Sequence, residues 1–181
     1  MLLAMDFQQA IVGRADGGPA ALAGAARAIE AARTAGVPVG HVRVAFRPGY
    51  PEIDPANPIF GGMTQAGDAM TQDHPATQIH PDLAVRPGEP VILKRRVSAF
   101  AGSDLDVLLR ANRATELVLC GISTSGVVLS TVRQAADLDF RLTVLSDACA
   151  DRDEEVHRVL LEKVFPRQAT VTTTDEWIKS L

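Results

Sequence analysis

Residues 117–126 read LVLCGISTSG, an apolar run that ends at a glycine and continues into small polar residues. The run at 117–120 predicts a buried strand, and the small and apolar residues of 127–138 predict a helix after the turn. Backbone N–H groups at such a helix start can point at an anion or a developing oxyanion, although a glycine-containing turn is also ordinary between a strand and a helix. The stretch therefore predicts one strand, turn and helix of an α/β fold.

The same alternation continues on both sides of this unit. Further strands are predicted at 2–5, 37–46, 90–93, 142–145 and 169–173, and further helices at 19–36, 104–111, 153–165 and the C-terminus. Strands that alternate with helices in this way form parallel sheets covered on both faces. We therefore predict a three-layer α/β/α, Rossmann-like fold with a six-stranded, mostly parallel sheet.

The bulk properties of the chain exclude several classes of protein. Its 181 residues, 46% of them hydrophobic, suit a single domain, which we expect to span residues 1–181. The net charge is −4 and the longest basic run is 94–96, so the sequence carries no nucleic-acid footprint. No apolar run approaches the roughly 18–20 residues of a membrane span, and the N-terminus lacks the pattern of a secretory signal. We expect a cytoplasmic protein whose partner is a small molecule, not nucleic acid or a membrane.

One long segment, residues 47–89, has little periodicity and contains seven prolines. A loop of this length inside a domain is usually functional or disordered. It follows the carboxyl end of a predicted strand, which is where open α/β sheets bind ligands. We therefore favour a segment that covers the substrate over a floppy insertion.

Two charged residues directly follow or end predicted strands, Asp6 after the first and Lys94 after the third. The carboxyl ends of parallel strands meet at one edge of the sheet, so the two side chains can converge there with the turn 121–126. An aspartate and a lysine in a partly dry crevice form an ion pair that orients the carboxylate for proton transfer. The alternative is that Asp6 and Lys94 are separate surface charges.

For the two cysteines and His41, the sequence favours a place in the packed core over a catalytic or metal-binding role. Cys120 and Cys149 lie in apolar stretches without the spacing of metal ligands or of a disulfide framework, so we expect both in the core. His41 lies within the second predicted strand, and we expect it to pack there as well.

Several ordered blocks of the chain resemble the isochorismatase-like, or cysteine hydrolase, family, which includes nicotinamidases, carbamoylsarcosine-type amidases and isochorismate hydrolases. The resemblance spans nearly the whole chain and supports the α/β fold. The blocks are LLAMDFQ at 2–8, Lys94 with SAF at 98–100, DLDVLL at 104–109, LVLCGIST at 117–124, STVRQAA at 130–136 and VLSDAC at 144–149.

The resemblance implies catalytic roles for Asp6 and Lys94, but it also implies that this chain lacks the family's nucleophilic cysteine. In the amidases, the matching aspartate deprotonates a cysteine that attacks an amide carbonyl. The family pattern Gly-x-x-Thr-x-x-Cys, counted from Gly121, places Val127 at the position of that cysteine. A valine cannot attack a carbonyl, so a thioester is not available there. Isochorismate hydrolases also lack the cysteine, and the resemblance implies that their aspartate acts as an acid on a vinyl ether.

Two functions therefore remain open from the sequence. The first is a metal-free hydrolase that uses Asp6 and Lys94 without a covalent intermediate. The second is a catalytically decayed family member that binds a small molecule or regulates. A nucleotide-binding domain is poorly supported, because no Gly-x-Gly-x-x-Gly follows the first strand.

The resemblance adds further expectations about the site. It implies a cis peptide between Ile122 and Ser123 that directs the amides of Ser123 and Val127 into an oxyanion hole. Nicotinamidases bind a metal through an Asp-x-His pattern after the second strand, which residues 43–47 lack, so we expect no metal and no cofactor. Family members form dimers or tetramers, which predicts a homodimer or homotetramer. The residues expected to contact the substrate are Gln8, Arg47 and Phe100.

Overall fold

Six parallel strands form one sheet in the order β3-β2-β1-β4-β5-β6. The computed structural model describes residues 1–65 and 67–181. The predicted α/β fold with a six-stranded parallel sheet is confirmed. The strands are β1 Leu2–Met5, β2 Val39–Val44, β3 Val91–Lys94, β4 Glu116–Ile122, β5 Arg141–Ala150 and β6 Thr170–Thr172.

Helices cover both faces of the sheet because the strand side chains alternate between two apolar cores. In β1, Leu2 and Ala4 join a core with α2 and α6, whereas Leu3 and Met5 join a core with α3 and α4 on the other face. The helices are α1 Gln9–Val12, α2 Gly18–Thr34, α3 Leu105–Ala111, α4 Leu129–Asp137, α5 Glu154–Val159 and α6 Thr174–Lys179. Within the described residues, no helix has the length and apolar character needed to cross a membrane.

Strand β5 is much longer than the predicted 142–145. Its pairing with β4 shifts between Leu119↔Val144 and Gly121↔Cys149, so β5 advances five residues where β4 advances two. The extra residues form an irregularity that a pattern of alternating side chains does not reveal. As a result, β5 continues to Ala150 and delivers the next residues to the carboxyl edge of the sheet.

Two predicted helices are interrupted by wider turns. The chain forms a π-helical turn at Thr124–Val128 before α4 begins at Leu129, rather than one helix from 127 to 138. Likewise, α5 is followed by a π-helical turn at Leu160–Val164 instead of continuing to residue 165. Such turns change the direction of side chains without a strong sequence signal, because glycine or proline is not needed to form them.

The long segment 47–89 contains three short 3-10 helices, at Gly61–Gln65, Pro75–Thr77 and Pro81–Leu83. The side chains of His74 and His80 accept hydrogen bonds from backbone N–H groups at the start of the second and third of these. A small aromatic and aliphatic core lies beneath the segment, where Phe46 meets Tyr50 and Phe60 edge to face. The segment is therefore packed onto the carboxyl edge of β2.

Candidate active site

Asp6 and Lys94 meet at the carboxyl edge of the sheet. Asp6 follows β1 in a left-handed backbone conformation (φ 58°), and Lys94 ends β3, two strands away. Lys94 Nζ lies 2.9 Å from Asp6 Oδ2 and also donates to the backbone oxygen of Arg96 at 3.0 Å. Both side chains are buried, so the alternative of two separate surface charges is wrong. Their catalytic role stays a prediction.

The two oxygens of the Asp6 carboxylate have different surroundings. Oδ2 faces Lys94, whereas Oδ1 is buried and has no hydrogen-bond partner among the described residues. Burial raises the pKa of Asp6, and the attraction and hydrogen bond of Lys94 oppose that rise without cancelling it. Asp6 therefore holds a proton at higher pH than an ordinary aspartate does.

A cavity of about 440 Å³ opens above this pair. Asp6, Lys94 and Val127 line it at the sheet edge, and residues of the long segment 47–89 form an apolar wall. The segment therefore forms part of the cavity wall, and its role in covering a substrate stays a prediction. The wall residues from this segment are Ile59, Phe60, Met63, Met70 and Ala76.

The turn after β4 forms another side of the cavity. The peptide bond between Ile122 and Ser123 is cis, which confirms the expectation from the family resemblance. Ser123 and Val127 both line the cavity, and Val127 is only 2% exposed. That Val127 stands at the position of the amidases' cysteine stays a prediction from the family resemblance. The oxyanion hole itself stays a prediction.

The predicted substrate residues lie in different places. Gln8 lines the cavity, but its amide is engaged in holding β2 and the long segment: Nε2 donates to the oxygens of Val44 (3.0 Å) and Thr77 (2.7 Å), and Oε1 accepts from Val44 N (2.8 Å). Arg47 and Phe100 are not among the residues that line the cavity.

Local partners explain why Arg47 and Phe100 point elsewhere. The Arg47 side chain is 61% exposed and forms an ion pair with Glu52 at 2.9 Å. The Phe100 ring packs against Phe140 in the core, with ring centroids 6.3 Å apart. A position near a strand end in the sequence indicates which edge a residue reaches, but not the direction of its side chain.

Three polar residues of the cavity were missed by sequence reasoning: Arg14, Asp151 and Arg152. Asp151 is buried and accepts hydrogen bonds from the backbone N–H groups of Ser125 (2.6 Å) and Arg152 (2.8 Å). The sequence placed the end of β5 at residue 145, so no signal located Asp151 at the sheet edge. The irregularity in the β4–β5 pairing decides its position.

The two cysteines do not replace the missing nucleophile. Both are buried in the core, and neither lines the cavity. Burial raises the pKa of Cys149 to about 12 and that of Cys120 well above its ordinary value. His41 is also fully buried in β2, as expected.

Comparison with known proteins places these features in a family. The model of the isochorismatase domain matches residues 1–176. The isochorismatase family protein YwoC of Bacillus subtilis is 32% identical over 145 residues, covering 79% of this chain and 74% of YwoC. Maleamate amidohydrolase of Pseudomonas putida is 27% identical over 185 residues, covering 99% of this chain and 85% of that protein.

A solved structure agrees with this result. The isochorismatase family protein from Burkholderia thailandensis has a TM-score of 0.86 and is 28% identical in sequence. The match covers 99% of this chain and 94% of that one. The match therefore includes nearly the whole chain.

Proposed function

The chain belongs to the isochorismatase family, and on that premise we propose that it is a hydrolase of a small molecule in which Asp6 supplies a proton and water is the nucleophile. The proposal includes no metal and no thioester, because residues 43–47 lack the Asp-x-His pattern and Val127 carries no thiol. Lys94 is the second member of the charged pair.

The single observation that carries the proposal is the unpartnered oxygen of Asp6. Oδ1 is buried, lies in a residue that lines the cavity, and has no partner among the described residues. A general acid must hold a proton near the working pH and reach the substrate with it. Burial raises the pKa of Asp6, which favours the first requirement. The second is supported by Oδ1, which has no hydrogen-bond partner among the described residues and belongs to a side chain that lines the cavity.

A vinyl ether is the substrate class that suits this acid. Asp6 protonates the terminal carbon of the double bond, and the electron pair of the ether oxygen forms an oxocarbenium ion. Water adds to that ion, the resulting hemiketal loses the alcohol, and the proton released from water returns to Asp6. No bond to the protein forms, which is compatible with Val127 in the place of a nucleophile.

Lys94 contributes by fixing the direction and the charge of Asp6. Its ammonium group holds Oδ2 at 2.9 Å, which leaves Oδ1 for the substrate. Once the proton has moved to the substrate, Asp6 is a carboxylate in a buried site, and the positive charge of Lys94 stabilises it.

A second candidate function is that of a small-molecule binding protein that no longer catalyses a reaction. The observation in its favour is Val127, because the similar maleamate amidohydrolase is named for amide hydrolysis and the family amidases need a thiol. The two candidates differ in turnover and not in binding. An assay of hydrolysis therefore separates them.

The experiment measures hydrolysis of enol ethers, with isochorismate as the first probe and pyruvate release as the readout. Asp6→Asn is expected to lower kcat about 10²- to 10⁴-fold, because a positioned acid contributes that much. Lys94→Met is expected to lower kcat as well. Asp106→Asn is the control, since Asp106 pairs with Arg110 on an exposed face of α3.

Each outcome decides between the candidates. Turnover by the wild type with loss in Asp6→Asn supports the hydrolase. An unchanged rate in Asp6→Asn overturns the role of Asp6. Binding of enol ethers without turnover, in protein whose fold is intact by circular dichroism, supports the binding protein.

A further inference from the structure

Arg96 lies between the long segment 47–89 and the charged pair at the sheet edge. It is the second residue after β3, which ends at Lys94, and it is partly buried. Its guanidinium group donates to the long segment, whereas its backbone oxygen accepts from Lys94. One residue therefore contacts both the segment that forms the apolar wall and the Asp6–Lys94 pair.

The guanidinium group of Arg96 holds the segment by two kinds of contact. Nη2 donates to the backbone oxygen of Glu52 at 2.7 Å, and the group lies 5.8 Å from the centre of the Phe60 ring. A guanidinium group within about 6 Å of an aromatic centroid is attracted by the negative face of the ring. Nη1 donates to the backbone oxygen of Arg95 at 2.6 Å, which ties the side chain to its own loop. Because Phe60 lines the cavity, Arg96 helps to fix a residue of the cavity wall.

The backbone oxygen of Arg96 helps to fix the ammonium group of Lys94. Lys94 Nζ donates to this oxygen at 3.0 Å and lies 2.9 Å from Asp6 Oδ2. These two oxygens are the partners that the described residues supply to the ammonium group, and Lys94 is only 2% exposed. A buried ammonium group that loses one of its acceptors pays a desolvation penalty, so it follows that acceptor when the loop moves. The position of Lys94 beside Asp6 therefore depends on the position of the loop at Arg96.

A neighbouring ion pair strengthens the attachment of the segment to this loop. Arg95 Nε lies 3.1 Å from Glu52 Oε1, and the same oxygen accepts from Arg47 Nη1 at 2.9 Å. The side chains of Arg95 and Glu52 are 13% and 14% exposed, so water and salt screen their attraction only weakly. The segment near Glu52 is thus anchored on the loop after β3, and Arg96 extends that anchor to Phe60 and Lys94.

Arg43 offers a comparison, because it also anchors the long segment through backbone oxygens. Its Nη1 donates to the oxygens of Gln72 (3.0 Å) and Thr77 (3.3 Å). Within the described residues, none of these three lines the cavity. Arg43 therefore holds the segment in a similar way without contacting the cavity wall or the charged pair.

We propose that Arg96 is a positioning residue that joins the aromatic wall of the cavity to the Asp6–Lys94 pair. The inference deepens the proposed function and rests on it, since this pair is the proposed acid and its support. Arg96 does not contact the reacting atoms: its guanidinium group fixes Phe60, and its backbone oxygen fixes Lys94. The fit of a ligand against the Phe60 ring is thus transmitted to the charged pair through one residue.

The test follows the Asp6 carboxyl group by carbon NMR during a pH titration, which requires no turnover. The Asp6 signal is assigned by its absence from Asp6→Asn. The attraction of Lys94 opposes the effect of burial on the pKa of Asp6, so a loosened Lys94 lets that pKa rise further. Arg96→Gln is therefore expected to raise the titration midpoint of Asp6. Arg43→Gln is the matched control, and it is expected to leave the midpoint unchanged.

Further variants keep the test decisive if Arg96→Gln does not fold, as judged by circular dichroism. Phe60→Leu keeps an apolar side chain in the wall but removes the ring, and it is expected to raise the midpoint as well. Arg96→Lys is expected to give a midpoint between those of the wild type and Arg96→Gln, because its ammonium group can still lie over the ring. Where Arg96→Gln folds, adding Phe60→Leu is expected to cause no further rise, since both changes break the same link.

The outcomes either support or overturn the positioning role. An unchanged or lowered midpoint in folded Arg96→Gln overturns it, as does an equal rise in Arg43→Gln. If Arg96→Gln does not fold, an unchanged midpoint in Phe60→Leu overturns it. Where an enol ether is turned over, Arg96→Gln is also expected to lower kcat about 10- to 100-fold, because a displacement of about 1 Å can cost the larger factor.

Failure of this proposal is distinguishable from failure of the proposed function. If Asp6→Asn abolishes turnover while Arg96→Gln leaves the Asp6 midpoint unchanged, the acid is supported and the positioning role is overturned. If the midpoint depends on Arg96 while Asp6→Asn leaves turnover unchanged, Arg96 positions the pair and the proposed acid is overturned.

Discussion

The backbone N–H of Ser125 donates a 2.6 Å hydrogen bond to Oδ2 of Asp151. This bond ties the end of β5 to the turn after β4, which carries Ser123 and Val127 into the cavity. Asp151 is buried, so the hydrogen bond is formed away from most solvent. The position of the turn therefore depends on a residue from a different strand.

We expect Asp151→Ala to lower kcat more than a change in stability explains. Removing the carboxylate leaves the Ser125 N–H without its acceptor, at a cost of about 1–3 kcal/mol, and releases the turn. The measurement compares kcat and KM with the free energy of unfolding in urea. Asp153→Ala is the control, because Asp153 caps α5 outside the cavity and its loss costs about 0.5–2 kcal/mol. Equal kcat in both variants would contradict a positioning role for Asp151.

The Glu89 carboxylate predicts a dependence of stability on pH. It accepts from Arg33 Nε (2.7 Å) and Nη2 (2.8 Å) and lies 2.9 Å from His41 Nε2. The hydrogen bond from Arg33 is the main reason why its pKa falls from 4.5 to about 2. Because the pKa is lower in the folded state, the stabilisation is present above pH 4.5 and is lost as the pH falls toward 2.

Glu89→Gln is therefore expected to lower the free energy of unfolding by up to about 3 kcal/mol at pH 7. The difference from the wild type should shrink below pH 4.5, which urea unfolding at a series of pH values measures. Glu155→Gln serves as the control, since Glu155 is exposed and forms no ion pair among the described residues. A difference that stays constant from pH 7 to pH 3 is the result that would refute this origin of stability.

Val127→Cys is expected to create a reactive thiol in a chain that otherwise has none. The buried Cys120 and Cys149 have raised pKa values, so the wild type should resist iodoacetamide at pH 8. Val127 lines the cavity, so the variant should take up one equivalent of label, read by mass spectrometry of the intact protein. Labelling of the wild type to the same extent would show that a native thiol is accessible.

The same variant tests whether the groups around residue 127 still support catalysis by a thiol. Hydrolysis of small amides by Val127→Cys, absent from the wild type, would indicate that the surrounding groups still support thiol chemistry. Asp6→Asn combined with Val127→Cys is the control, because the double variant lacks the base for the thiol.

Gly121→Ala is expected to destabilise the sheet. A Cβ atom at Gly121 would lie 2.5 Å from the backbone oxygen of Met5 and 2.9 Å from its Cβ, in the neighbouring strand β1. Crowding of this kind typically costs about 1–3 kcal/mol. Gly13→Ala is the matched control, since nothing lies within 4 Å of a Cβ there and its φ is −76°. Thermal unfolding of the two variants measures the contrast, and equal melting temperatures would disprove the close approach.

Sequence patterns predicted the location of a residue best where that residue ends or directly follows a predicted strand. Asp6 and Lys94 each mark the end of an apolar run, and parallel strands bring such ends to one edge. Phe100 was misplaced because the pattern does not say that its ring packs on Phe140. Arg14 and Arg152 carried no signal at all, since isolated arginines in loops usually belong to a solvated surface.

The sequence by itself determined the α/β fold with its six-stranded sheet and the position of Asp6 and Lys94 at the ends of predicted strands. Periodicity and order along the chain are enough for the strands and their ends, because each depends on a local pattern of apolar residues. The correspondence of Val127 to a cysteine is a prediction that rests on the family resemblance. Only the tertiary structure decided that Asp6 meets Lys94, that Asp6 Oδ1 has no partner among the described residues, and that Asp151 accepts the N–H of Ser125. The physical reason is that burial and these hydrogen bonds form between segments that are far apart in the chain. The shift in the β4–β5 pairing, which brings Asp151 to the sheet edge, is not specified by any local sequence pattern.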